Sequence, residues 1–173
     1  TITIQGMRKR AKRFLAARSL EEMSRLLGKT ALNLLALSQT PVYDEFTIPK
    51  KNGGLRSIED PVPKLKKVQR KLNDYLQAVY FFHRTDAAYG FLSNPVDDPQ
   101  PRNILTNAKV HLGCQWLLNV DMKDFFYLIS QERVKQLFQA PLFGFQAPLA
   151  EVLAGLCCYK GRLPMGAPTS PIL

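Results

Sequence analysis

Apolar residues in the first forty positions recur at helical spacing, and the pattern changes after Pro41. Residues 7–39 read as helices. Ser19 followed by Glu22 forms a capping box, and Leu20, Met23, Leu26 and Leu27 make an apolar stripe. Gly28 ends that helix, and Thr30 caps the next, ALNLLALS. From Tyr43 the period shortens to two. Phe46 and Ile48 alternate with polar residues, Asn52-Gly53-Gly54 makes a tight turn, and Leu55 to Ile58 return, which predicts a β-hairpin with a lysine pair at its tip.

Pro61 and Pro63 then punctuate, and a helix follows from about Lys64 to Phe82. Leu65, Val68, Leu72, Leu76 and Val79 form one face, and Lys64, Lys67 and Lys71 another. Residues 93–103, rich in proline and aspartate, read as a loop. A short helix containing Asn107 and His111 leads to Gly113. The segment QWLLNVD, residues 115–121, reads as a strand ending on an acid: Trp116, Leu118 and Val120 face one way, Asn119 and Asp121 the other. Helices near 130–138 and 146–159 precede a terminal segment punctuated by proline and glycine. No repeat or low-complexity tract appears, and the mixture is α+β.

Composition adds little until charge is counted. Apolar residues make up 46% and charged residues 22%, values of a folded rather than a disordered chain. Basic side chains outnumber acidic ones by 24 to 14 over 173 residues, a net charge of +10. Sixteen of the basic and six of the acidic residues fall within 1–73, so that part carries the whole excess. A basic half beside a neutral one suggests a surface for a polyanion, most simply nucleic acid, with solubility alone as the alternative.

The cysteines, Cys114, Cys157 and Cys158, lack C-x-x-C spacing and partner histidines, which argues against zinc. All three read as small buried side chains in a reducing compartment. No apolar run approaches the roughly 20 residues of a membrane span. The basic start, MRKRAKRFLAA, is no secretory signal, and the expected location is cytoplasmic.

Three segments carry candidate chemistry. Asp121 ends the predicted strand and is followed by MKDFF; a carboxylate there suits Mg²⁺, though such a residue also serves as a turn or cap. Around the hairpin turn, Lys50, Lys51 and Arg56 form either a clamp for a triphosphate or a plain solvated turn. LPMGAPTSP, residues 163–171, permits close backbone approach to a ligand, or simply leads into a helix capped by Thr169 or Ser170.

Taken in order, the hairpin IPKKNGGLRSI, then LNVDMKDFF, then LPMGAPTSP resemble reverse transcriptases from Tyr43 to Leu173. NAKVH at 107–111 matches the N-A-x-x-H signature of the bacterial retron type, and the helical lead-in is similar to that type as well. The resemblance implies right-hand polymerase fingers and an incomplete palm behind a helical N-terminal extension: residues 1–40 the extension, 41–112 fingers, 113–173 partial palm.

The same resemblance assigns roles. Asp121 matches the first catalytic, metal-binding aspartate for a pair of Mg²⁺ ions, and Met122 lends its carbonyl. Amides near Asp124 and Phe125 face the triphosphate, and Lys50 and Arg56 contact it, with Lys51 a weaker candidate. Phe126 falls at the steric gate that refuses a ribose 2′-hydroxyl. Gly166 and its neighbours lie against the nascent base pair and template. Met165 stands where the family usually has glutamine, which bears on fidelity or substrate choice. Asn107 and His111 are candidates for recognising structured RNA, with a packing role for His111 as the alternative; Lys64, Lys67 and Lys71 are candidates for gripping RNA phosphates. His83 carries no assignment.

The implied function is RNA-directed DNA synthesis on a retron non-coding RNA, with template, primer and dNTPs as partners, in antiphage defence. The family's Y-x-D-D turn and thumb do not occur in the 173 residues, so these residues alone are expected to be inactive. Alternatives are a non-catalytic nucleic-acid-binding module, a group II intron maturase or a non-retron antiviral polymerase; the signature at 107–111 argues against the last two.

Overall fold

A computed structural model describes residues 2–51 and 53–173. The architecture is a set of packed helices carrying one two-stranded sheet. In chain order it runs α1 (Ile4–Leu15), α2 (Leu20–Leu27), α3 (Ala31–Gln39), β1 (Tyr43–Pro49), β2 (Leu55–Pro61), α4 (Pro63–Phe81), α5 (Ile104–Val110), α6 (Gln131–Gln139) and α7 (Ala147–Cys157), with 3₁₀ turns at Phe125–Leu128 and Ser170–Ile172.

Local chemistry sets the helix ends. Thr3, Ser19, Thr30 and Ser130 each accept a backbone N–H of the first turn with the side-chain oxygen, at 3.1–3.3 Å. Glu22 does not close a full capping box with Ser19. Its carboxylate accepts instead from the Arg18 amide at 2.7 Å, one residue earlier, while Ser19 caps alone. Gly28 stops α2 in the left-handed conformation, φ 68°.

The core is one continuous cluster. α4 lies at its centre, burying Leu65, Val68, Leu72, Leu76 and Val79, the face that the spacing predicts. Each such side chain contributes roughly 2 kcal/mol relative to exposure. α1 packs on α4 and α3 on α7, with α6 across α7. Phe14 of α1 is fully buried among the rings of Tyr75, Phe143 and Phe145, so the first helix shares its core with residues far along the chain. Gln69, also fully buried, donates to the Tyr43 hydroxyl at 2.7 Å and the Leu156 carbonyl at 2.8 Å, joining β1, α4 and α7 through one amide. Burial pushes the Tyr43 phenol well above its ordinary pKa.

β1 and β2 pair antiparallel from Tyr43↔Pro61 to Pro49↔Leu55. Lys50 donates its amide to the Gly54 carbonyl at 3.0 Å, closing a five-residue connection, and Gly53 and Gly54 adopt φ 82° and 83°, open to glycine at no steric cost. Asn52 of the expected turn lies outside the described residues.

Two further expectations fail. Residues 115–121 form no strand: they run without ladder partners, with Trp116 91% and Leu118 84% exposed. An apolar alternation becomes a strand only where a neighbour takes its backbone N–H and C=O groups, and among the described residues none does. Cys114, just ahead of that segment, is exposed where burial was expected, whereas Cys157 and Cys158 are buried as expected. Burial raises both of the latter thiols, Cys158 to about 12.

Candidate active site

A cleft of about 960 Å³ opens between the hairpin and the segment after Val120. Lys50, Arg56 and Ser57 line it from the hairpin; Asp121, Met122, Asp124, Phe125 and Phe126 line it from the opposite side; Met165 and Phe91 complete it. Residues more than seventy positions apart, and singled out from three separate motifs, therefore share one wall-to-wall space.

Each side is held by identifiable chemistry. Lys50 and Arg56 are exposed, and among the described residues neither pairs with an acid, so both cations remain available to an anion. Lys51 sits beside the cleft rather than in it, lining a hollow with Ile48, Pro49, Lys50 and Arg56. On the other side, Asp124 takes the left-handed conformation, φ 53°, which aspartate tolerates better than most residues. Its carbonyl accepts from the Tyr127 amide at 2.9 Å, winding Phe125–Leu128 into a 3₁₀ turn. Phe126 is partly buried against the core, while the neighbouring Phe125, at a ring separation of 5.9 Å, is more exposed. Asp121 is exposed and has no hydrogen-bond partner among the described residues.

The two sides are tied by a network that the sequence patterns do not reveal. Tyr159–Arg162 is a two-residue turn with Lys160 at φ 51° and Gly161 at φ 74°. From it, Lys160 (2.6 Å) and the Tyr159 hydroxyl (2.8 Å) both donate to Glu45 of β1. The Lys160 hydrogen bond, then that of Tyr159, holds the Glu45 carboxyl below its usual range. Arg162 donates twice to Glu59 of β2, at 2.8 and 2.9 Å, and its guanidinium lies 3.7 Å from the centre of the Tyr127 ring. The Glu59 side chain is 3% exposed, and its hydrogen bonds push the Arg162 pKa up. One arginine thus fixes the hairpin base and the residue after Phe126 together.

Met165 and Gly166 take part in the same join. The Glu59 amide donates to the Met165 carbonyl at 2.8 Å, and Met165 also lines the cleft. Gly166, at φ 135°, brings its backbone so close to β2 that a Cβ would stand 2.7 Å from the Glu59 carbonyl oxygen. That glycine approaches the protein's own strand closely and is otherwise exposed.

The remaining candidates lie elsewhere. Asn107 on α5 and His111 at its C-cap are exposed and line no part of the cleft. His83 is exposed as well. Lys64, Lys67 and Lys71 are exposed on α4. A Cβ on Gly28 would stand 2.9 Å from the Lys71 ammonium, which places that charge at the C-terminus of α2, where it complements the helix dipole. Phe91 carries no motif in the sequence that would have selected it. Arg162 and Tyr127 acquire their roles only from partners remote in sequence.

Asp121 and the Met122 carbonyl are the atoms that the resemblance offers to Mg²⁺. Among the described residues no group of three or more His, Cys, Asp or Glu side chains converges on a point. One aspartate and one carbonyl do not amount to a magnesium site of the kind that transfers phosphoryl groups. No helix is long and apolar enough to cross a membrane.

No protein-family model matches the chain. Among curated proteins it is 31% identical over 163 residues to the retron Ec86 reverse transcriptase of Escherichia coli, an alignment covering 90% of this chain and 46% of that protein. It is 34% identical over 145 residues to the retron Mx162 reverse transcriptase of Myxococcus xanthus, covering 75% and 28%, and 32% identical over 149 residues to the retron Mx65 reverse transcriptase of the same organism, covering 76% and 32%. The chain spans less than half the length of these relatives.

Proposed function

The chain belongs with the retron reverse transcriptases, and on that premise we propose that it supplies the fingers and the first part of the palm of an RNA-directed DNA polymerase. The observation that carries the proposal is the shared cleft: Lys50, Arg56, Asp121 and Phe126, drawn from separate motifs, face one volume large enough for a nucleotide.

In this reading Lys50 and Arg56 hold the triphosphate of a dNTP, Arg56 through its forked donors and Lys50 as a mobile point charge, with Lys51 at the edge of the field. Backbone amides near Asp124 and Phe125 face the same phosphates. The Phe126 ring occupies the space a 2′-hydroxyl would need. Asp121 and the Met122 carbonyl are this chain's contribution to the Mg²⁺ ligands, the others coming from sequence beyond residues 1–173. In the whole enzyme those ions supply charge stabilisation for nucleotidyl transfer. Residues 1–173 by themselves are inactive for want of those ligands. Asn107 and His111, with Lys64, Lys67 and Lys71, form the part of the surface that meets the RNA template and primer, a retron non-coding RNA being the natural one.

The test is primer extension on an RNA template with dNTPs and Mg²⁺, using the full-length protein and its Asp121→Asn variant. The expected result is synthesis by the parent and none by the variant, with RNA binding unchanged. Synthesis by Asp121→Asn would overturn the assignment of Asp121. No synthesis by the parent, with RNA still bound, would move the chain to a nucleic-acid-binding module.

A further inference from the structure

Phe91 lines the cleft without any part in the reading above. Its backbone sets it apart. It is left-handed, φ 58°, a conformation that a bulky side chain adopts only when its surroundings enforce it. The residue is also 75% exposed, and exposure is a property it shares with Val120 and Met122 across the cleft.

The enforcement comes from α4. Gln77 is only 6% exposed, and both ends of its amide are spent on this loop. Its Nε2 donates to the Phe91 carbonyl at 2.7 Å, and its Oε1 accepts from the Ser93 amide at 2.9 Å. The helix thus commits a buried polar group to fixing a loop conformation whose result is a phenyl ring presented to open space. Packing gains nothing from that arrangement, since the ring covers little. A ligand with a flat apolar face does gain.

The rest of the cleft narrows the ligand. Lys50 and Arg56 suit phosphates and Phe126 bounds the sugar side, which leaves the planar part of a nucleotide to the apolar residues of the cleft, among which Phe91 presents an exposed ring. Resting on the polymerase reading, we propose that Phe91 is a stacking platform for a nucleobase, held in place by Gln77. Stacking on an aromatic ring is tolerant of base identity, because every base has a π-face. The base belongs either to the incoming nucleotide or to an unpaired template nucleotide, and the two are separable by experiment.

The variants are Phe91→Leu, which keeps an apolar side chain and removes the π-face, and Phe91→Tyr, which keeps the ring. Dissociation constants are measured on the full-length protein, by equilibrium binding that needs no catalysis. One is for a dNTP on a bound primer–template, the other for a primer–template whose single unpaired template nucleotide is normal or abasic. Phe91→Leu should weaken one of these by about tenfold while Phe91→Tyr stays near the parent. A loss confined to the dNTP identifies the incoming base; a loss confined to the normal overhang, absent with the abasic one, identifies the template base. Parent-like binding by Phe91→Leu in both, or equal losses in Leu and Tyr variants, would overturn the platform. Primer extension by the parent, run alongside, reports separately on the polymerase reading.

Discussion

Phe126 shows how much of a residue's role is set by what stands next to it. Its place five positions after Asp121 is a property of sequence, but its ring can bound a sugar only if the turn that carries it is rigid. The left-handed Asp124 starts that turn, and Tyr127 beneath Arg162 anchors its far side. Phe126→Ala removes the ring and leaves both anchors. The ratio of kcat/KM for ribonucleotides to that for deoxynucleotides should therefore rise in the full-length enzyme, by roughly tenfold or more for the loss of a steric clash of this kind. An unchanged ratio would remove Phe126 from the sugar side of the cleft. Phe91 belongs to the same scale with the opposite legibility: an ordinary phenylalanine in the sequence, made distinctive only by its backbone and by Gln77.

Among elements, the decisive one is the hairpin, whose tip and base have different duties. The tip carries Lys50, Lys51 and Arg56 and is free of ion pairs among the described residues. The base is fastened by Glu45 to Lys160 and Tyr159 and by Glu59 to Arg162. Arg162→Ala would leave Glu59 buried and unpaired, which costs about 3 kcal/mol or more. The measurement is the urea unfolding midpoint, where a loss under about 1 kcal/mol would show that Glu59 finds another partner. The strand expected at 115–121 teaches the converse. Its alternation of apolar and polar residues is real, but a strand is a property of a pair, and its partner is not among the described residues.

Across the whole molecule, the charge asymmetry is the feature with functional reach. The basic excess lies within residues 1–73, and Lys64 and Lys67 are exposed on α4, clear of the cleft. Contacts to RNA phosphates release counterions, so Lys64→Ala together with Lys67→Ala should weaken RNA binding for every sequence tested. The slope of log affinity against log salt should fall by about 1.5. A change for some sequences only, or an unaltered slope, would exclude these lysines from phosphate contact. Lys71 is a poor probe, because its ammonium also serves the end of α2 and its loss mixes stability with binding.

The sequence alone determined the helices and the hairpin, since spacing, caps and turn glycines act between near neighbours: Ser19 and Gly28 bound α2, Gly53 and Gly54 allow the turn, and the apolar face of α4 is read off its period. It also determined the family resemblance and the candidate residues Lys50, Arg56, Asp121 and Phe126, because motif order survives without coordinates. Only the tertiary structure decided that these residues share one cleft, that Arg162 joins both of its sides, that Gln77 forces Phe91 into it, and that Gly166 packs closely on a strand of the same chain. Those outcomes depend on contacts between residues far apart in the chain, and the geometry of such contacts is fixed by packing and by buried polar groups finding partners, neither of which leaves a local pattern.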